Sequence, residues 1–148
     1  MNRPAGKRRA ATAGTILAIL AAVSCDGGSS GGVMQPPPPP LGPTLESIQA
    51  NIFTPKCALS GCHAGSAPQE GMNLSAGLAY SNIVNVPSTE VALDRVEAGD
   101  SSLSYLYWKV IGDPQIIGDR MPFGRPALSA AETDAIRDWI DAGAPETP

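Results

Sequence analysis

Apolar residues recur at helical spacing in three stretches of the chain. In TLESIQANIF, Leu45, Ile48, Ile52 and Phe53 stand at i, i+3, i+7 and i+8. That stripe predicts a short helix, and Pro55, which biases Thr54 away from helical geometry, predicts its end. Between Asp100 and Gly112 the same spacing returns in Leu103, Leu106, Tyr107, Val110 and Ile111. Here Asp100 or a following Ser is the expected cap and Gly112 the stop. The third stretch opens with a capping box, Ser129 and Glu132, carries Ile136, Trp139 and Ile140 on one side, and closes at Gly143. Trp139 reads as a core residue, expected to pack against Phe53 of the first helix.

The segments between are weaker. AGSAPQEGMNLSAG is rich in turn formers, with Met72 and Leu74 alternating as one buried edge. Ser75 is a possible cap for a short helix in AGLAYSNIV that ends before Pro87, and residues 85–99 read as irregular. The connection DPQIIGDRMPFGRPA, after Gly112, is long for a loop without structure of its own. Its prolines, with Ile116, Ile117 and Phe123, predict an ordered loop packed on something apolar, and Met121 sits in its middle.

The start of the chain has a different character. A basic beginning, the apolar run TILAILAAV and small residues leading into Cys25 read as an export signal over 1–24, too short in its apolar part to span a bilayer as a mature helix. The ending AVSC resembles a lipobox, which makes Cys25 the candidate for lipidation and membrane anchoring. The alternatives are a free thiol beside an ordinary cleavage site and pairing with another cysteine. Residues 25–43, with Gly and Ser followed by five consecutive prolines, read as a tether. A folded domain is expected over 44–148.

Composition and charge narrow the picture. The 148 residues leave room for one domain, and 16 Gly and 15 Pro predict short helices with long loops around a modest core. Such a core is marginal unless something other than side chains fills its middle. All 14 acidic residues follow Cys25, against six basic ones, so the chain beyond that cysteine carries a formal charge of −8. That sign argues against nucleic acid and fits either simple solubility or a partner with a basic docking surface.

The candidate chemistry lies in CALSGCH, Cys57 to His63, which ends on the only histidine of the chain. Two cysteines with a histidine directly after the second are what covalent attachment of a c-type haem requires. Each sulfur adds to one vinyl group of the porphyrin, and the adjacent imidazole takes the iron. Four residues separate the cysteines, where the usual motif has two. The competing reading is a Cys57–Cys62 disulfide, plausible in an oxidising compartment, which leaves His63 without a task. A zinc site is the weaker alternative, since it wants four protein ligands. No Gly-rich phosphate loop is visible, and a nucleophilic triad is excluded if the one histidine binds iron.

The second axial position decides what such a haem does. A Met thioether favours reduced iron and suits an electron carrier, whereas an open position suits ligand binding or peroxide chemistry. Met34 lies in the tether, and Met72 follows His63 closely and reads as a core residue. Met121, 58 residues after the histidine on a proline-stiffened loop, is the candidate ligand, the alternative being a Met merely buried. Trp108, Arg95, Arg120 and Arg125 are chemically suited to the haem propionates, or else are ordinary surface and packing residues.

With IFTPKCALSGCHAG, NVPS, RVEAGD, RMPFG and IRDWIDAGAP, the stretch from about Ile48 to Ala144 resembles small bacterial cytochrome c domains of class I, among them cytochrome c-like lipoproteins and planctomycete-type domains. The resemblance implies an all-α, cytochrome c-like fold of three to five short helices with long loops around one covalently bound haem c. It also implies His63 as proximal and Met121 as distal iron ligand. The wide cysteine spacing and Pro55 depart from the mitochondrial pattern. The expectation is a periplasm-facing protein of the bacterial cell envelope, anchored through Cys25, that passes single electrons between redox partner proteins and is not an enzyme. The rivals are an open-site haem enzyme or gas sensor, and a non-haem lipoprotein with a Cys57–Cys62 disulfide.

Overall fold

Thr44 starts the first helix, its side chain accepting from the Ser47 amide at 3.2 Å. The computed structural model describes residues 37–147. The expected signal segment, Cys25, Met34 and most of the tether therefore lie outside the described residues. Helix α1, Leu45–Ile48, runs on without a break into a π-helical segment, Gln49–Cys57. The expected stop at Pro55 does not occur. A proline in an α-helix removes one bond and its ring meets the preceding turn, whereas wide i to i+5 turns absorb a residue without an N–H. One such bond runs from the Ala58 amide to the Phe53 carbonyl at 2.7 Å. The helix thus carries the chain all the way to Cys57.

The end of the proline run is fastened to this helix. Asn51 Nδ2 donates to the Pro39 carbonyl at 2.9 Å, and Ser47 Oγ donates to the Pro40 carbonyl at 3.0 Å. These bonds are made by carbonyls, which composition does not reveal.

Three further helices follow: α2, Ala79–Ile83, α3, Tyr105–Ile111, and α4, Ala130–Asp141. Among the described residues there are only isolated β-bridges, four in number, so the architecture is all-α with long connections. Helix α2 has no side-chain cap, contrary to the role expected of Ser75, although the Ser75 carbonyl accepts from the amides of Leu78 and Ala79. Helix α4 has the expected capping box, with Ser129 N donating to Glu132 Oε2 at 2.9 Å and Glu132 N donating to Ser129 Oγ at 3.3 Å.

The stretch expected as one helix over 100–112 is two pieces. A single 3-10 turn, Ser101–Leu103, is capped by Asp100, and Ser104 is extended before α3 begins. The Ser104 hydroxyl is buried and bonded to the carbonyls of Asp100 and Glu97 and the amide of Glu97, which breaks the helical phase. The buried face of α3 is accordingly Tyr105, Leu106 and Val110, while Leu103 and Ile111, expected inside, are 47% and 43% exposed.

The core lies where α1 meets α4, with α3 against α4. Ile48, Ile52 and Phe53 share it with Ile136, Trp139 and Ile140, so Trp139 and Phe53 occupy the one cluster as expected. Leu74 is buried and Met72 packs on its edge. No helix among the described residues is long and apolar enough to cross a membrane.

Candidate haem site

The four residues singled out by their chemistry, three in the stretch 57–63 and Met121 in the loop after α3, meet at one cavity. It has a volume of about 480 Å³, and its wall includes Cys57, Cys62, His63 and Met121. That volume falls within the roughly 300–1,000 Å³ of small-molecule and cofactor sites. Apolar surface from Ile52, Phe53, Leu74, Leu106 and Val110 makes up much of the rest.

The four-residue spacer is folded into a turn. The Cys62 amide donates to the Leu59 carbonyl at 2.9 Å, and Gly61, the third residue of that turn, has φ +79°. This is the geometry of a type II turn, which needs positive φ at its third position. The His63 amide then donates to the Cys57 carbonyl at 3.2 Å. The extra residues are thereby looped out, and both cysteines remain on the cavity wall. Both are free thiols. Cys57 is half-buried, and burial pushes its thiol up to about 11, whereas Cys62 is exposed.

His63 is buried, at 9% exposure, with Nδ1 3.3 Å from the Met72 carbonyl oxygen. A carbonyl only accepts, so Nδ1 carries the proton and the lone pair is left on Nε2, as an imidazole ligand requires. Burial also holds the ring below the ordinary imidazole value, so it is neutral at pH 7. The segment that supplies this carbonyl wraps the histidine from a second side, the Leu74 amide donating to the His63 carbonyl at 2.8 Å. Arg95 fastens the same segment, its guanidinium donating to the carbonyls of Glu70 at 2.6 Å and Asn82 at 2.8 Å.

Charge is concentrated here too. Of the six basic residues beyond Cys25, Lys56, Arg95, Lys109 and Arg125 line the cavity, against Glu70 and Glu90 as its only acids. A strongly acidic chain thus keeps a net positive cavity, which suits a flat apolar group bearing carboxylates.

No family model, curated protein or solved structure matches this chain. The site therefore stands on its own geometry. The donor set, one neutral imidazole, two thioethers (Met72 and Met121) and two thiols around an apolar cleft lined by cations, fits a covalently held haem, and Met72 is the one of the two whose backbone carbonyl faces His63 Nδ1. Among the described residues no group of three or more His, Cys, Asp and Glu side chains is placed to hold a metal ion directly.

Two of the expected propionate donors are elsewhere. Trp108 Nε1 donates to the Ser102 carbonyl at 2.8 Å and does not reach the cavity. Arg120 lies along Gly112, where its Nη1 is buried without a partner. Arg95 and Arg125 do line the cavity. Ile117 and Phe123, expected to be packed, are 51% and 68% exposed, Phe123 standing at the cavity wall beside buried Pro122. Polar bonds hold the loop at Ile117, while Met121 packs on the core. The sequence reading also passed over Lys56, Tyr105 and Lys109. The last two are spaced i, i+4 on α3, beside the apolar Leu106 and Val110, which is the signal that would have placed them on one face.

Proposed function

We propose that this chain is a c-type cytochrome, a single-electron carrier of the bacterial cell envelope held to the membrane through a lipid on Cys25. The observation that carries the reading is the meeting of Cys57, Cys62, His63 and Met121 at one apolar, cation-lined cavity. Bound there, haem c would supply an iron that gains and loses one electron.

The chain's own residues account for the rest. Cys57 and Cys62 are the sulfurs for the two thioether links. His63, its proton committed to the Met72 carbonyl, offers Nε2 as one ligand, and Met121 offers sulfur as the other, which raises the potential relative to a second nitrogen ligand. Arg125 would be the cation for the propionates, with Arg95 adding positive charge at the cavity wall while its guanidinium stays bonded to the Glu70 and Asn82 carbonyls. Both proposed ligand-bearing segments are fastened by hydrogen bonds, which would hold His63 and Met121 in nearly constant positions if the iron gained or lost an electron. The acidic exterior would steer a partner with a basic docking surface, more strongly at low ionic strength.

The test is an absorption spectrum, oxidised and reduced, of the chain exported in a host with c-type haem maturation, together with a haem stain after denaturing electrophoresis. Expected are stain at the protein's mass and a weak long-wavelength sulfur-to-iron band that disappears in Met121→Ala. Stained protein without that band, and with Met121→Ala unchanged, would move the function to an open-site haem enzyme or sensor. No stain, with Cys57 and Cys62 bridged, would sink the haem reading. Anchoring is read separately: Cys25→Ser should release the protein from the membrane fraction.

A further inference from the structure

The loop that bears Met121 is attached to α3 through two side chains that both act on one residue. Tyr105 Oη accepts from the Ile117 amide at 2.9 Å, and Lys109 Nζ donates to the Ile117 carbonyl at 2.8 Å. Both backbone polar groups of Ile117 are thus satisfied from the same face of α3, although its side chain is 51% exposed. The Lys109 carbonyl, in turn, accepts from the Met121 amide at 2.8 Å. Lys109 is held in place by Glu90, 3.4 Å away in the connection before α3, and lies 5.7 Å from the centre of the Tyr105 ring. Tyr105 and Lys109 both line the cavity.

Apolar contact holds the loop at Met121, which packs on the core, and at buried Pro122, but not at Ile117 or Phe123, which are largely in solvent. The stretch of loop before Met121 therefore depends on hydrogen bonds, and those from Tyr105 and Lys109 to Ile117 come from side chains that line the cavity. A charge-assisted bond of this kind is stronger than a neutral one, and Glu90 offsets part of the cost of holding the largely covered Lys109 side chain in place.

We infer that Tyr105 and Lys109 are positioning residues for Met121, a clamp on Ile117 that keeps the sulfur over the cavity and so decides whether the second axial position is closed or open to outside ligands. The inference rests on the haem reading for its consequence, but the clamp itself belongs to the chain. It gives the acidic loop residue Glu90 and the exposed Ile117 a shared role, and it places control of ligand access on α3, outside the attachment motif.

The experiment uses the full chain, exported with haem maturation, and three variants. Tyr105→Phe keeps the ring and its packing and removes the hydroxyl that accepts from the Ile117 amide. Lys109→Met removes the donor and the charge from the other side of Ile117. Lys109→Arg keeps both and serves as the conservative replacement. Imidazole is the probe for the open position, and hydrogen exchange at the Ile117 and Met121 amides is the readout that needs no haem. Expected for Tyr105→Phe and Lys109→Met are undiminished haem stain, a weakened sulfur-to-iron band, imidazole affinity raised about five- to tenfold for the loss of one hydrogen bond, and faster exchange at both amides. Lys109→Arg should stay near the wild type in all four. Stained variants with unchanged imidazole affinity and unchanged exchange would overturn the clamp. If the wild type carries no haem, the haem reading fails by itself, and exchange alone judges the clamp: protection at Ile117 and Met121 that falls in Tyr105→Phe supports it, and wild-type amides without protection overturn it.

Discussion

Gly61 illustrates how single residues shape the site. Its φ of +79° closes the turn that loops out the extra spacer residues, and nothing lies within 4 Å of where a Cβ would stand. The cost of Gly61→Ala is therefore conformational alone, about 1 kcal/mol of stability by denaturant unfolding, with Gly61→Asn costing less because Asn tolerates this region. His63 shows the other side of the same scale. Its adjacency to Cys62 is plain in the sequence, but the proton on Nδ1 is fixed by a carbonyl nine residues on, at Met72, and no spacing rule points to that partner.

At the scale of elements, the N-terminal end of α4 is tied to the end of the π-helical segment. Glu132 closes the capping box with Ser129 and also pairs with Lys56, the residue before Cys57. Burial works to raise the Glu132 carboxyl, but the bonds from Lys56 and Ser129 outweigh it and hold the group below the ordinary glutamate value of 4.5. A depressed carboxyl contributes stability that is fully present above about pH 4.5 and is lost as pH falls through the lower folded-state value. Unfolding by denaturant between pH 7 and pH 3 should therefore show a smaller acid loss in Glu132→Gln than in the wild type. Ser129→Ala should cost about 1 kcal/mol at pH 7 through loss of the cap. The capping box was legible because it is a local pattern of four residues. The Lys56 pair was not, since its partners lie 76 positions apart. The phase of α3 was also misread, because buried Ser104 resets it through bonds to Glu97 and Asp100 that a periodicity count does not include.

For the molecule as a whole, the cavity sets the energetic problem. The cavity, about 480 Å³, is open to solvent, so its apolar wall meets water until a group fills it, and filling it would add apolar burial worth about 25 cal/mol per Å². A chain that cannot hold haem, Cys57→Ser with Cys62→Ser and His63→Ala, should accordingly unfold at a lower denaturant concentration than a haem-loaded wild type would, as followed by circular dichroism. The sequence by itself determined the helices around Ile48 and Ile136, the all-α class and the acidic balance, and it singled out Cys57, Cys62, His63 and Met121 as candidates, because each is written in local spacing or in the chemistry of neighbouring residues. Only the tertiary structure decided that the first helix passes through Pro55, that Arg95 and Arg125 but not Trp108 and Arg120 line the cavity, and that Tyr105 and Lys109 grip the Met121 loop. Those outcomes depend on which backbone carbonyls and amides are brought together across the fold, and these groups are the same in every residue but proline, so sequence carries little mark of their partners.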